Sequence, residues 1–189
     1  MEIDYKSILM RLPEPAALYR QPREVGADVV QATAAKMTAR GYRFAEHSLE
    51  ALHRYLQGYA LLLSGEVGTG KTFFFRALNP DIVVVSLVGL SGWKIDEVGA
   101  MLGSYRDREV LIDDVGAEPQ LSEFGVRQES LPFILERRQF CKRRTHFTTN
   151  LSAAAIQSRY GVRVIDRLYG LAFPVRFTGG SLRECHPVG

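Results

Sequence analysis

The sequence lacks any apolar run near the roughly 20 residues that a bilayer-spanning helix requires. Its longest candidates, Tyr59–Ser64 and Ile82–Leu87, are six residues each, so no membrane association is expected. Cysteine is scarce, with only Cys141 and Cys185, which excludes a disulfide-stapled scaffold. Met1–Leu12 scatters acidic and basic residues through its apolar ones and offers no secretory core, so the two thiols are expected to be reduced in a cytoplasmic protein. Glycine and proline are unexceptional, which excludes collagen-like and low-complexity chains. His47, His53 and His146 are scattered without a third ligand at a suitable spacing, so no structural metal is expected. What the chain does have is 46% hydrophobic and 24% charged residues over 189 positions, enough for one well-filled soluble core.

Charge is unevenly spread. The net charge of +3 divides into +1 over residues 1–60, −5 over 61–125 and +7 over 126–189. Arg137, Arg138, Lys142, Arg143 and Arg144 form the densest basic cluster, which reads either as an anion-binding surface or as a solvated helix face. The basic residues there are nearly all arginine, whose planar guanidinium suits phosphate and carboxylate clamps.

Periodicity organises the chain into alternating elements. An N-terminal arm broken by Pro13, Pro15 and Pro22 carries the amphipathic run Ile3–Leu12, and Ala27–Ala39 and Glu46–Gln57 read as helices. Short apolar or β-branched strands are predicted over Tyr59–Ser64, Ile82–Leu87, Val110–Asp113, His146–Asn150 and Phe173–Phe177. Between them fall helices over Lys71–Leu78, Trp93–Leu102, Glu129–Gln139 (interrupted by Pro132), Ser152–Tyr160 and Val162–Leu168. Strands alternating with helices imply an α/β fold with a five-stranded parallel sheet covered on both faces, a three-layer sandwich. Phe73, Phe74 and Phe75 are expected to pack inside, and Trp93 reads as a packing residue, with a base-stacking platform as the alternative.

Gly65-Glu66-Val67-Gly68-Thr69-Gly70-Lys71-Thr72 matches G-x-x-x-x-G-K-[ST] at every required position, between a strand and a helix. The glycines let successive N–H groups turn inward on a polyphosphate, and the helix N-terminus adds its positive dipole end. Lys71 can reach the β- and γ-phosphates, and the Thr72 hydroxyl suits Mg²⁺. About 40 residues on, Glu109-Val110-Leu111-Ile112-Asp113-Asp114 is an apolar strand ending in two carboxylates. Asp113 is assigned to Mg²⁺ and Asp114 to the attacking water, since neighbours on a strand point to opposite sides. Asp107 and Glu109 fall at the other end of that strand and are expected to be solvated, whereas Glu118 follows closely enough to stand near the site.

From Leu61 to Arg183 the chain resembles the AAA+ ATPases of the helicase-loader and transposition-helper group, DnaC, DnaI and IstB. The resemblance is carried by the glycine loop, the Asp113-Asp114 strand, Thr148-Thr149-Asn150 and the segment Gly161-Val162-Arg163-Val164-Ile165-Asp166-Arg167-Leu168. It implies a P-loop NTPase of AAA+ type, with residues 1–45 as a helical arm and 46–189 as the ATPase domain, lacking a C-terminal helical lid. It also implies that Asn150 senses the γ-phosphate, that Arg167 is an arginine finger pointing into a neighbouring subunit, and that Arg183, in Gly180-Ser181-Leu182-Arg183, acts as a second sensor. Arg163 is the alternative finger, and an ion pair with Asp166 or Glu136 is the structural alternative for Arg167. The implied cofactors are ATP and Mg²⁺. The implied partners are further copies in a head-to-tail homo-oligomer, single-stranded DNA, and a replicative helicase or transposase. Asp114 stands where a glutamate is usual, which leaves open slow hydrolysis or an ATP-gated adaptor. A small-molecule kinase is a further reading of the glycine loop.

Overall fold

The computed structural model describes residues 22–182, except 119, 124–125 and 142, and the side chains of 122–128 stand outside the description. In chain order it contains α1 (Ala27–Ala39), α2 (Glu46–Leu56), β1 (Leu61–Gly65), α3 (Lys71–Leu78), β2 (Val83–Ser86), α4 (Ile95–Ser104) and β3 (Val110–Val115). There follow β4 (Leu121–Glu123), β5 (Val126–Gln128), α5 (Ser130–Arg138), β6 (Thr145–Thr149), α6 (Ala153–Tyr160), α7 (Val162–Leu171) and β7 (Phe173–Phe177).

Five strands pair in parallel in the order β2-β3-β6-β1-β7, and β4 and β5 form a separate antiparallel hairpin. The period of two along each strand divides the core between the two faces of the sheet. Leu61 and Leu63 of β1 and Leu111 of β3 join Val30, Ala34, Met37, Phe74 and Phe75 under α1–α3. Leu62, Val110 and Ile112 join Leu102, Leu131, Ile134 and Leu168 under α4, α5 and α7 on the other face. This is the α/β three-layer sandwich that the alternation of elements predicts.

Local chemistry sets the element ends. α1 stops at Gly41, whose φ of 87° permits the closing bonds Gly41 N to Thr38 O (2.8 Å) and Tyr42 N to Met37 O (3.0 Å). Ser152 caps α6, its Oγ accepting from Ala155 N at 3.2 Å. Pro132 does not interrupt α5, because it falls in the first turn, where its missing N–H has no partner to lose. The β4–β5 hairpin is not predicted, since three-residue strands are too short to show a period. Phe74 and Phe75 are buried as expected, but Phe73 and Trp93 are exposed. Among the described residues no helix follows β7 and none is long and apolar enough to cross a membrane. The helix Ala27–Ala39 shares one core with β1 and α3, while the run Ile3–Leu12 lies outside the described residues.

Parallel pairing brings all five carboxyl ends to one edge. From β1 the chain crosses outward to β2 and finally returns to β7 on β1's other side, so β1 stands at the switch in strand order, where α/β sheets open a crevice.

Candidate active site

The glycine loop leaves β1 at that crevice. Gly68 and Gly70 have φ of 85° and 88°, left-handed values that suit glycine. Thr69 Oγ1 donates to Glu66 O at 2.9 Å, closing the loop, and Phe74 N donates to Gly70 O at 2.8 Å as α3 begins. Lys71, at the first position of α3, is held across the loop by bonds from Nζ to Gly65 O and Glu66 O, both 2.7 Å.

Thr72 Oγ1 donates to Asp113 Oδ1 at 2.8 Å, and Thr148 Oγ1 donates to the same oxygen at 2.5 Å. The Thr148 hydroxyl in turn accepts from Asp114 N at 3.0 Å. Asp114 is the one non-glycine residue with positive φ among those described, at 61°, and the β3–β6 register shifts between Ile112 and Val115. Asp is among the residues that tolerate this conformation, at a cost of order 1–3 kcal/mol. The irregularity turns Asp114 out of simple strand alternation at the point where its carboxylate would act.

Ser64 pairs with Thr149, so register sets Asn150 beside Gly65, and both line a cleft of about 470 Å³ with Glu66, Ser152 and Arg176. The structure thus gathers Gly65–Thr72, Asp113, Asp114 and Asn150 at one edge. Arg167 is elsewhere, exposed on α7, with no ion pair or hydrogen bond among the described residues, and neither Asp166 nor Glu136 holds it. Arg183 lies outside the described residues. The segment before it crosses the glycine loop: Leu182 N donates to Gly68 O at 2.8 Å, and a Cβ at Gly68 would overlap Ser181 Oγ.

Three features are not evident in the sequence. Thr148 is legible there only as a polar residue in a buried strand, and its bonds to Asp113 and Asp114 depend on the pairing of β3 with β6. The loop after Asp114 is clamped by α6: Arg159 reaches Gly116 O, Glu118 O (2.9 Å) and Glu129 Oε2 (3.0 Å), and Tyr160 OH donates to Glu118. Burial and Glu118 push the Tyr160 phenol far up. Glu118 therefore serves the backbone of this loop, with Gly116 N donating to its Oε2 at 2.8 Å.

The third feature corrects two expectations at the opposite edge of the sheet. Glu109 is not solvated: it pairs with Arg144 Nη2 at 2.9 Å and accepts from Tyr55 OH at 3.0 Å and from Asn79 Nδ2 at 3.2 Å. His146, fully buried, accepts Leu61 N on Nδ1 at 3.0 Å, which fixes the neutral tautomer with Nε2–H donating to Glu109 Oε1 at 2.6 Å. Burial raises the Glu109 carboxyl, but His146, Arg144 and Tyr55 outweigh it and lower it to about 2. Burial pushes His146 below its ordinary value despite Glu109. The basic cluster is likewise not one solvated face, because Arg138 is 2% exposed and bonds Thr145 Oγ1, Tyr105 O and Arg108 O. Asp107 is exposed as expected.

No protein-family model and no curated protein matches the chain. A solved structure does: the crystal structure of DnaI superposes with a TM-score of 0.54 at 20% identity, covering 78% of this chain and 94% of that one. The chain has the fold of DnaI. In this chain the glycine loop stands at the switch point of the strand order β2-β3-β6-β1-β7.

The donor set fits a magnesium nucleotide. Thr72 Oγ1 and Asp113 Oδ1 are hard oxygens placed together, and no group of three His, Cys, Asp or Glu side chains forms a closed metal cage among the described residues. Mg²⁺ characteristically takes one or two protein oxygens and completes its shell with water and phosphate.

Proposed function

We propose that the chain is an ATPase of the helicase-loader kind, binding ATP with Mg²⁺ on Gly65–Thr72 and hydrolysing it in a head-to-tail homo-oligomer. The observation that carries the reading is the convergence of Thr72 and Thr148 on one oxygen of Asp113, at the mouth of a glycine loop. Mg²⁺, when bound, screens the phosphate charges and polarises the transferred group. The chain's own residues do the rest. Backbone N–H groups of Gly68–Thr72 and the Lys71 ammonium hold the phosphates. Thr72 and Asp113 hold the metal, and Thr148 fixes the carboxylate that does so. Asp114 and Asn150 orient the attacking water. Arg167 of one protomer supplies positive charge to the phosphates bound by the next, and Arg183 does so from within the same chain.

The resemblance to DnaC, DnaI and IstB extends the reading to a cytoplasmic protein acting on single-stranded DNA together with a replicative helicase or a transposase. A second reading, an ATP-gated adaptor with little hydrolysis, is favoured by Asp114, one methylene shorter than glutamate and held in a left-handed conformation. Titration with a fluorescent ATP analogue and Mg²⁺, followed by phosphate release with and without single-stranded DNA, tests both. Binding abolished by Lys71→Ala with turnover in the wild type supports the ATPase. Binding without turnover selects the adaptor, and no binding at all contradicts both.

A further inference from the structure

A cleft of about 790 Å³ opens at the amino-terminal edge of the sheet, where β1, β6 and β7 begin, on the far side from the glycine loop. Four arginines line it, Arg23, Arg138, Arg143 and Arg144, and no Asp or Glu does so among the described residues. Only Arg144 is neutralised, by Glu109. Arg138 is buried with all its bonds to neutral oxygens, an arrangement that leaves its charge uncompensated. Arg23 and Arg143 are exposed and take part in no ion pair among the described residues. The cleft therefore carries three guanidinium charges in excess and attracts anions.

Beside it stands Phe140, at 75% exposure the most exposed large apolar side chain among the described residues. It borders an adjoining hollow of about 490 Å³ with Phe133, Arg106 and Arg137, and Cys141 lines both spaces. Arg137 lies 5.1 Å from the centre of the Phe133 ring, both on α5, and Glu136 is the one carboxylate among the described residues that border this hollow. Charge alone would suit an acidic peptide equally well. An uncovered aromatic ring next to unpaired arginines suits a strand with free bases, because stacking on a ring adds to phosphate contacts whatever the base.

We propose that this face binds a single-stranded nucleic acid, with Arg23 and Arg143 on its phosphates and Phe140 under a base. The proposal rests on the single-stranded DNA client proposed above and gives it a location. Because the face lies across the sheet from the glycine loop, strand and nucleotide bind without competing for space.

The test is fluorescence anisotropy of a labelled oligothymidylate of about 16 nucleotides on the full chain over a range of salt. Arg23→Glu with Arg143→Glu is expected to weaken binding about 10-fold or more and to flatten the salt dependence by about 0.7 for each phosphate no longer neutralised. Phe140→Ala is expected to weaken binding about 5-fold or more with the salt slope unchanged. All three residues are exposed, and unchanged circular dichroism with unchanged ATP-analogue binding separates their effect from misfolding. Equal oligothymidylate affinity in wild type and variants, or no binding by the wild type at low salt, overturns the proposal. So does polyglutamate binding as tightly as oligothymidylate with no effect of Phe140→Ala, which assigns the cleft to an acidic protein. Oligothymidylate binding through these residues in a chain that fails to bind ATP leaves this proposal standing and removes the ATPase reading instead.

Discussion

Thr72 Oγ1 donates to Asp113 Oδ1 across 2.8 Å, although 41 residues separate the two in the chain. The pair joins the start of α3 to the end of β3, and Thr148 of β6 completes it from the neighbouring strand. Three elements thus hold one carboxylate oxygen in place, which is the preorganisation a metal–phosphate site requires.

Asp113→Asn is expected to keep the fold, since the amide oxygen still accepts from both threonines, and to reduce Mg²⁺-dependent turnover on the order of 10²-fold, the scale on which one positioned charge acts. Thr148→Val, which keeps the Asp113 side chain but removes one donor that holds it, should reduce turnover less and leave ATP affinity nearly intact. Steady-state phosphate release with parallel nucleotide titrations distinguishes the two.

The left-handed backbone at Asp114 makes a different prediction. Asp114→Gly relieves the conformation and should not destabilise the fold, whereas Asp114→Val forces a β-branched residue there and should cost about 2 kcal/mol. Both should lower hydrolysis while preserving ATP binding. Urea unfolding midpoints read against phosphate release separate strain from chemistry.

Acid should weaken the fold in two stages. His146 is depressed in the folded state, so the unfolded chain takes up a proton first, and stability falls as pH drops below the ordinary value of 6.5. Glu109 is depressed from 4.5 to about 2, so its contribution is present above 4.5 and lost as pH falls from there towards about 2. That contribution is at most roughly 3 kcal/mol. Glu109→Gln should lower stability at neutral pH and flatten the lower stage in urea titrations across pH.

Ser181 and Leu182 lie across the glycine loop, with Leu182 N donating to Gly68 O. Gly68→Ala both strains a backbone at φ 85° and drives a methyl group into Ser181, so it should displace the segment and weaken ATP binding about 10-fold or more. Adding Ser181→Gly removes the side-chain clash but not the strain, and affinity should recover only in part.

How far these features can be read from sequence depends on how local they are. Gly65–Thr72 and Asp113-Asp114 are contiguous motifs at strand ends, and the strand–helix alternation implies the sheet that holds them. Thr148 acquires its partners from the β3–β6 register, which no run of residues encodes by itself. Arg138 and Arg144 share one basic cluster with Arg143, yet carbonyls and Glu109 engage the first two while Arg143 stays exposed. Composition counts their charges equally, and only the packing of α5 and β6 tells them apart. The crossing of Ser181 and Leu182 over Gly68 and Gly70 joins segments more than a hundred residues apart, and the β4–β5 strands are shorter than any period.

If each ATP site is completed by the next protomer, as proposed, mixing two inactive variants tests it most directly. Lys71→Ala removes the phosphate grip but retains Arg167, and Arg167→Ala does the reverse. With sites formed between chains, mixtures contain sites with both groups, and phosphate release rises above the sum of the separate variants. Activity that stays at that sum, or an Arg167→Ala chain as active as the wild type, contradicts the account.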